Sequence, residues 1–168
     1  GTGSDYSEIA YDDGTGEQSW WISGNPTSPD DMMALRLTMP EDGTLQEVAF
    51  FTRTGTTGPF NFADVMVCPD DGAGTPDLNN PYESFGEQVI ENTVMEWLMF
   101  PLTTPLDMTS GEDFWIVANW EGGNTDGPFI GGDNTTEPAE DRNYWSNVPG
   151  VWNLFTTSNF MMRGYYSP

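Results

Sequence analysis

The chain of 168 residues has no histidine, no lysine, one cysteine and four cationic side chains, Arg36, Arg53, Arg142 and Arg163. Each absence removes a class of chemistry. Without histidine there is no Ser-His-Asp or Cys-His nucleophile and no HExxH zinc site. Without lysine there is no P-loop lysine, no Schiff base and no Lys–Asn isopeptide cross-link. Cys68 has no partner for an internal disulfide and, closing the apolar stretch VMVC, reads as a small packed hydrophobe. Against the four arginines stand 27 acids, for a formal charge of −23. Nucleic acid and anionic membrane surfaces are excluded as partners, since both need clustered cations. Nor is membrane insertion expected, because no apolar run approaches the length of a bilayer span. No basic-then-apolar leader opens the sequence, which reads as a soluble domain, mature or cut from something longer.

Aromatic residues, by contrast, are abundant at 14%, which argues for a packed core rather than an acidic disordered chain. Length points to one domain over 1–168, with 1–7 as a flexible N-terminal segment. Helical periodicity is scarce. Short β-branched and aromatic runs alternate with clusters of Gly, Pro, Asn and Asp, at the spacing of a sandwich or barrel. Strands are expected at 8–11, 17–22, 32–39, 44–53, 62–68, 87–92, 95–102, 113–120, 127–132, 143–146, 150–155 and 159–166. A single helical turn competes for 85–94, though Gly86 argues against it. Period-two alternation puts Met33, Leu35, Leu37 and Met39 on one face, opposite Arg36 and Thr38. Residues 114–120 are apolar on both faces, as a central strand would be. Phe50, Phe60, Phe114, Trp120 and Phe160 read as core.

The order of motifs resembles a β-sandwich accessory module of large secreted bacterial and archaeal proteins, often found beside exported peptidases. That module opens with Tyr-Asp-Asp-Gly, matched by Tyr11, Asp12, Asp13 and Gly14, followed by an acid, Glu17. Then come an alternating strand (ALRLTMP), a Val-x-Phe strand (Val48, Phe50) and a valine-rich strand running into an acidic glycine turn (VMVCPDDGAGTPD). SGEDFWIVANW, FIGGD and NFMMRGYY match its later strands, so the likeness runs from about Glu8 to Tyr166. The departure is Cys68-Pro69, where the module often carries Trp and another Asp. The resemblance implies an antiparallel, jelly-roll-like β-sandwich and an extracellular or cell-surface setting; it names no ligand.

Two resources remain for function. Calcium takes six to eight oxygens from carboxylates, amides and carbonyls of flexible turns. Four segments offer them: 12–17 (Asp12, Asp13, Glu17), 70–77 (Asp70, Asp71, Asp77), 124–127 (Asn124, Asp126) and 131–134 (Asp133, Asn134). Each also has a plain reading as a turn, because Asp-Gly and Asn-Gly bond their own backbone and tolerate positive φ. The acidity itself fits either bound calcium or a salty medium that screens it.

The second resource is a set of aromatic faces for stacking on sugar rings: Trp20, Trp21, Tyr144, Trp145 and Trp152. Consecutive residues of a strand point opposite ways, so one of Trp20 and Trp21 is expected to face outward. Carboxylate-pair hydrolysis survives in principle, yet 27 acids would present such a pair in any fold, and the chain is expected not to be an enzyme. The expectation is a non-catalytic accessory module attached to other domains of an exported protein. It would bind a neutral polysaccharide or surface glycan, with calcium as candidate cofactor. The alternative is a self-assembling subunit of a surface layer or filament, and a spacer without ligand is the third reading.

Overall fold

Two apolar faces made from alternating residues need each other, and in this chain they meet as two stacked sheets. The structure is a computed structural model that describes residues 5–22, 31–120, 127–139, 141–148 and 150–168. Its strands are β1 (Ser7–Ile9), β2 (Gln18–Trp20), β3 (Met32–Thr38), β4 (Gly43–Arg53), β5 (Phe60–Pro69), β6 (Glu83–Ser84) and β7 (Gln88–Ile90). They continue with β8 (Glu96–Met108), β9 (Asp113–Trp120), β10 (Phe129–Asp133), β11 (Asn143–Val148), β12 (Val151–Leu154), β13 (Asn159–Phe160) and β14 (Met162–Ser167). No α-helix occurs among the described residues.

In the first sheet β4 lies between β8 and β14, and β14 carries β1 on its far side. The end of β4, at Thr52 and Arg53, pairs with β10, which in turn holds β2 and β13. The second sheet runs β12-β11-β3-β9-β5-β6, with β7 beside β6 on β5. Every ladder is antiparallel. The chain is an all-β sandwich of two antiparallel sheets.

The core between the sheets takes the residues that alternation assigns to it. Met33, Leu35, Leu37 and Met39 are buried against Val48, Phe50, Phe114, Ile116 and Trp120. β9 is central, flanked by β3 and β5, and is buried on both faces as its sequence suggests. Its other face carries Trp115 and Val117 into a second cluster with Met32, Ala34, Met66 and Cys68. The segment from Asp70 to Tyr82 closes over that outer face: Leu78 packs on it, and Asp70 accepts the Trp115 indole N–H at 2.9 Å. Burial pushes the Cys68 thiol up to about 12, and the charges of Asp77 and Asp64 add to it.

Several boundaries differ from expectation. Ser7, placed in the leading segment by the sequence, already pairs with Tyr166 in β1. The strand expected at 87–92 shortens to Gln88–Ile90 on β5, and no helical turn competes with it, Gly86 having φ 74°. β8 runs on to Met108 through Pro101 and Pro105. Among the described residues only β4 pairs with it, so it lies at a sheet edge, where prolines are tolerated. Phe60 is half-buried, unlike Phe50, Phe114, Trp120 and Phe160, which are fully enclosed.

Phe50 lies edge-on to Phe62 at 6.0 Å and against Phe100 at 5.4 Å. Phe50→Ala should therefore lower the unfolding free energy by about 3–5 kcal/mol in urea titrations, with a smaller loss for Phe60→Ala. Equal losses at the two positions would contradict this core.

Candidate functional site

The Tyr-Asp-Asp-Gly segment divides its labour. Tyr11 lies under the Arg142 guanidinium, 4.5 Å from its ring centre, and its hydroxyl accepts the Thr38 N–H at 3.3 Å. Asp12 takes a short bond from Arg163 Nη2 and a second, at 3.2 Å, from Nε. Arg163 also pairs with Glu8 at 3.1 Å and lies over Trp97 at 4.3 Å. Burial alone would lower its pKa, but the Asp12 bond and the two carboxylates outweigh that and raise it. Tyr11 and Asp12 thus fasten the N-terminal segment to the sandwich, and Asp12 is withdrawn from the calcium site that the sequence assigns it.

Asp13 and Glu17 meet a third acid from far along the chain. β2 pairs with β10, setting Gln18 opposite Gly132, and the Glu17 N–H donates to the Gly132 carbonyl at 3.1 Å. Asp133, the last residue of β10, thereby comes beside both. One carboxylate oxygen from each of Asp13, Glu17 and Asp133 lies within 4.8 Å of the others. Asp13 and Glu17 are exposed; Asp133 is fully buried.

The buried carboxylate is well supplied with donors. Asp133 Oδ2 accepts the Asp13 N–H at 2.8 Å, and Oδ1 accepts the N–H groups of Thr135 at 2.9 Å and Thr136 at 3.2 Å. Burial raises its pKa, but the bonds from Thr136, Asp13 and Thr135 prevail and hold it down at about 2. Asp13 is lowered too, first by the Thr15 N–H and then by the hydroxyls of Thr15 and Thr135. Asn134 donates its backbone N–H to Glu17 at 3.2 Å.

The second acidic turn does not gather its acids. Asp70 serves Trp115 and the Gly72 N–H, and Asp71 serves Ala73 and Thr75. Asp77 serves the Asn79 N–H and the Asn80 amide. Hydrogen bonds within the turn lower the pKa of Asp71, that from Thr75 foremost. For Asp70, Asp71 and Asp77 the turn reading prevails: among the described residues the one group of three converging acids is Asp13, Glu17 and Asp133. Asn124 and Asp126 lie outside the described residues.

The aromatic candidates separate into two places. Trp20, Trp21 and Trp145 line one cleft of about 260 Å³, together with Ile22, Met33, Asn147, Phe155 and Phe160. It sits where β2 and β13 of the first sheet face β3 and the β11–β12 hairpin of the second. Trp20 is fixed from three sides. Its indole N–H donates to Ser158 Oγ at 3.1 Å, its ring stands edge-on to Phe155 at 5.0 Å, and Gly132 lies beneath it. A Cβ at Gly132 would come within 2.6 Å of the indole nitrogen, so only glycine lets the ring lie there. Trp21 stands edge-on to Phe129 at 5.8 Å.

Both tryptophans are half-buried and both line the cleft, contrary to the parity argument. The reason is that β2 ends at Trp20, so Trp21 is outside the ladder and free of its alternation. Tyr144 packs edge-on to Trp115 at 5.5 Å on the outer face of the second sheet. Trp152 lines a separate cleft with Asp71 and Asp77. Ile22, Met33, Asn147 and Phe155 were missed as cleft residues; the apolar ones carry only core periodicity. Comparison with family models, with curated proteins and with solved structures gives no match.

A carboxyl whose folded pKa lies below the ordinary 3.8 adds stability above that value and loses it as pH falls through the folded pKa. Asp133→Ala should accordingly lower the melting temperature at pH 7, with the gap to the parent protein closing as pH falls from 4 toward about 2. A gap that stays constant over that range, followed by scanning calorimetry, would show that Asp133 does not carry this charge-dependent stability.

Proposed function

We propose that the protein is a non-catalytic binding module of an exported protein, taking a neutral carbohydrate in the cleft of Trp20, Trp21 and Trp145. The observation that carries this reading is the convergence of three indoles with one amide, Asn147, in an open cleft. Indole faces stack on the C–H faces of pyranose rings, and an amide can orient a hydroxyl. The volume, about 260 Å³, lies just under the range of roughly 300–1,000 Å³ that encloses drug-sized ligands. That favours one ring of a longer chain lying across the surface. The charge of −23 disfavours anionic polymers, which leaves neutral glycans such as β-glucans or xylans. The resemblance of the motif order to secreted accessory modules supports an extracellular or cell-surface setting and a jelly-roll-like arrangement, with further domains as neighbours.

In the same reading Asp13, Glu17 and Asp133 hold a structural calcium ion. Three carboxylates that close repel one another, and a divalent cation removes that repulsion. An ion bound only by the native state adds RT ln(1 + [L]/Kd), about 2.7 kcal/mol at a hundredfold excess over Kd. Millimolar calcium at fixed ionic strength should raise the melting temperature relative to chelator. Asp133→Ala should abolish the rise and Asp71→Ala should keep it. No shift in the parent protein would end the calcium reading.

Carbohydrate binding has its own test, on a panel of soluble and insoluble neutral polysaccharides. Trp145→Ala and Trp21→Ala should each lose about thirtyfold in affinity, roughly 2 kcal/mol, while Trp152→Ala binds as the parent does. Melting curves establish that each variant is folded. The cleft is the wrong site if the parent binds nothing on the panel, or if folded Trp145→Ala and Trp21→Ala bind undiminished.

A further inference from the structure

Sheet edges present unpaired N–H and C=O groups, and proteins guard them with prolines, charges or covering loops. The edges of this sandwich are guarded unequally. β8 carries Pro101 and Pro105, and Glu83 takes its Thr103 N–H at 2.8 Å. β1 has Glu8 at its centre, paired to Arg163. β12, the outermost strand of the second sheet, reads Val-Trp-Asn-Leu, without proline or charge. Among the described residues no strand lies on its outer side. Val151 is 48% exposed and Leu154 45%, and Val148, across the hairpin turn, is 51% exposed. This is an apolar edge left open.

The charged side chains lining the clefts on either flank of that edge are all carboxylates. On one flank is a cleft of about 380 Å³ between Trp152 and the turn bearing Asp71 and Asp77. On the other, past Leu154, a cleft of about 440 Å³ is lined by Glu137 and Asp141. Each arginine is turned onto a ring: Arg53 over Phe129, Arg142 over Tyr11, Arg163 over Trp97, and Arg36 over Trp115, the last reaching toward Gly74 of the acidic turn. A second copy of the chain, at −23, would be repelled from such an edge. A cationic strand would be drawn to it.

We propose that β12 is the docking edge for an extended polypeptide segment bearing lysine or arginine at alternate positions. The segment adds as one more strand, its backbone pairing with the outer side of β12. Its basic side chains share the face of Trp152 and Leu154, where the indole and the flanking carboxylates receive them. Its apolar side chains share the other face, with Val151. This edge adjoins the carbohydrate cleft, since Trp145 pairs with Asn153 and Phe155 borders both, but the inference does not depend on that reading.

The probe is a blocked eight-residue peptide of alternating lysine and valine, titrated calorimetrically into the whole chain at about 0.15 M salt, where diffuse attraction is screened. It should bind and slow amide hydrogen exchange at residues 151–154. The same peptide N-methylated along its pairing edge should bind about tenfold more weakly or worse, as should the parent peptide against Leu154→Lys or Val151→Lys. Both positions are exposed, so these variants should fold, and melting curves check it. Absence of binding, equal binding by a glutamate–valine peptide, or undiminished binding by the N-methylated peptide or the folded variants would overturn the proposal. So would sedimentation showing that the protein pairs with itself while 151–154 are already protected without peptide.

Discussion

Charge is the constraint to which the rest of this structure answers. With 27 acids and four guanidiniums, every cation is used where it does most: each lies over an aromatic ring, and Arg163 also holds Glu8 and Asp12. Arg163 belongs to β14 of the first sheet, and Arg142 precedes β11 of the second. Between them they seize neighbouring residues, Asp12 and Tyr11, so the N-terminal segment bridges both sheets. Just beyond that bridge, the pairing of β2 with β10 sets Asp13 and Glu17 beside Asp133. Many acids are consumed nearer home, where Asp12, Asp13, Asp70, Asp71 and Asp77 each accept a backbone N–H two residues on. The charge that destabilises the compact chain is also what shapes its turns.

The aromatic cleft depends on a buried polar pair. Asn143 of β11 donates to Asn159 of β13 at 3.1 Å and accepts the Phe160 N–H at 2.8 Å, joining the two sheets at one corner. Trp145 lies two residues beyond the first amide and Phe160 directly after the second, so the same bonds that close the sandwich fix the cleft walls. Buried, satisfied amides of this kind specify one register and resist slippage. The proposed ligand would meet rings already in place there and lose less to their ordering.

Most of the fold was legible because its strands alternate. β9 was placed residue for residue, and the two-faced burial of Phe114 to Ala118 follows from its unbroken apolar run. Legibility failed where the cause is tertiary. The strand expected at 95–102 ends before Pro105, whereas β8, an edge strand, runs through it, and β6 is two residues that only β5 makes into a strand. For the site, Asp13, Glu17 and Asp133 were each visible as acids of turns. Their meeting depends on the β2–β10 register, which spans more than a hundred residues of sequence and leaves no local trace. Asp12 was indistinguishable from Asp13 by type; Arg163, far along the chain, separates them. The tryptophan pair was misjudged because strand parity holds only while the strand lasts.

The cover over the outer face of the second sheet has a kinetic meaning. The segment from Asp70 to Tyr82 is held by Leu78, by the Trp115–Asp70 bond and by its own turn bonds, and it lies apart from the core between the sheets. A layer with so little buried apolar surface of its own opens at lower free energy than the sandwich beneath it. Cys68 lies under that layer, fully buried and with its thiol held protonated. The sulfur is therefore a natural reporter group for that layer. A thiol reagent would reach it through openings of the cover, and its rate of modification would report how often or how long the cover is open.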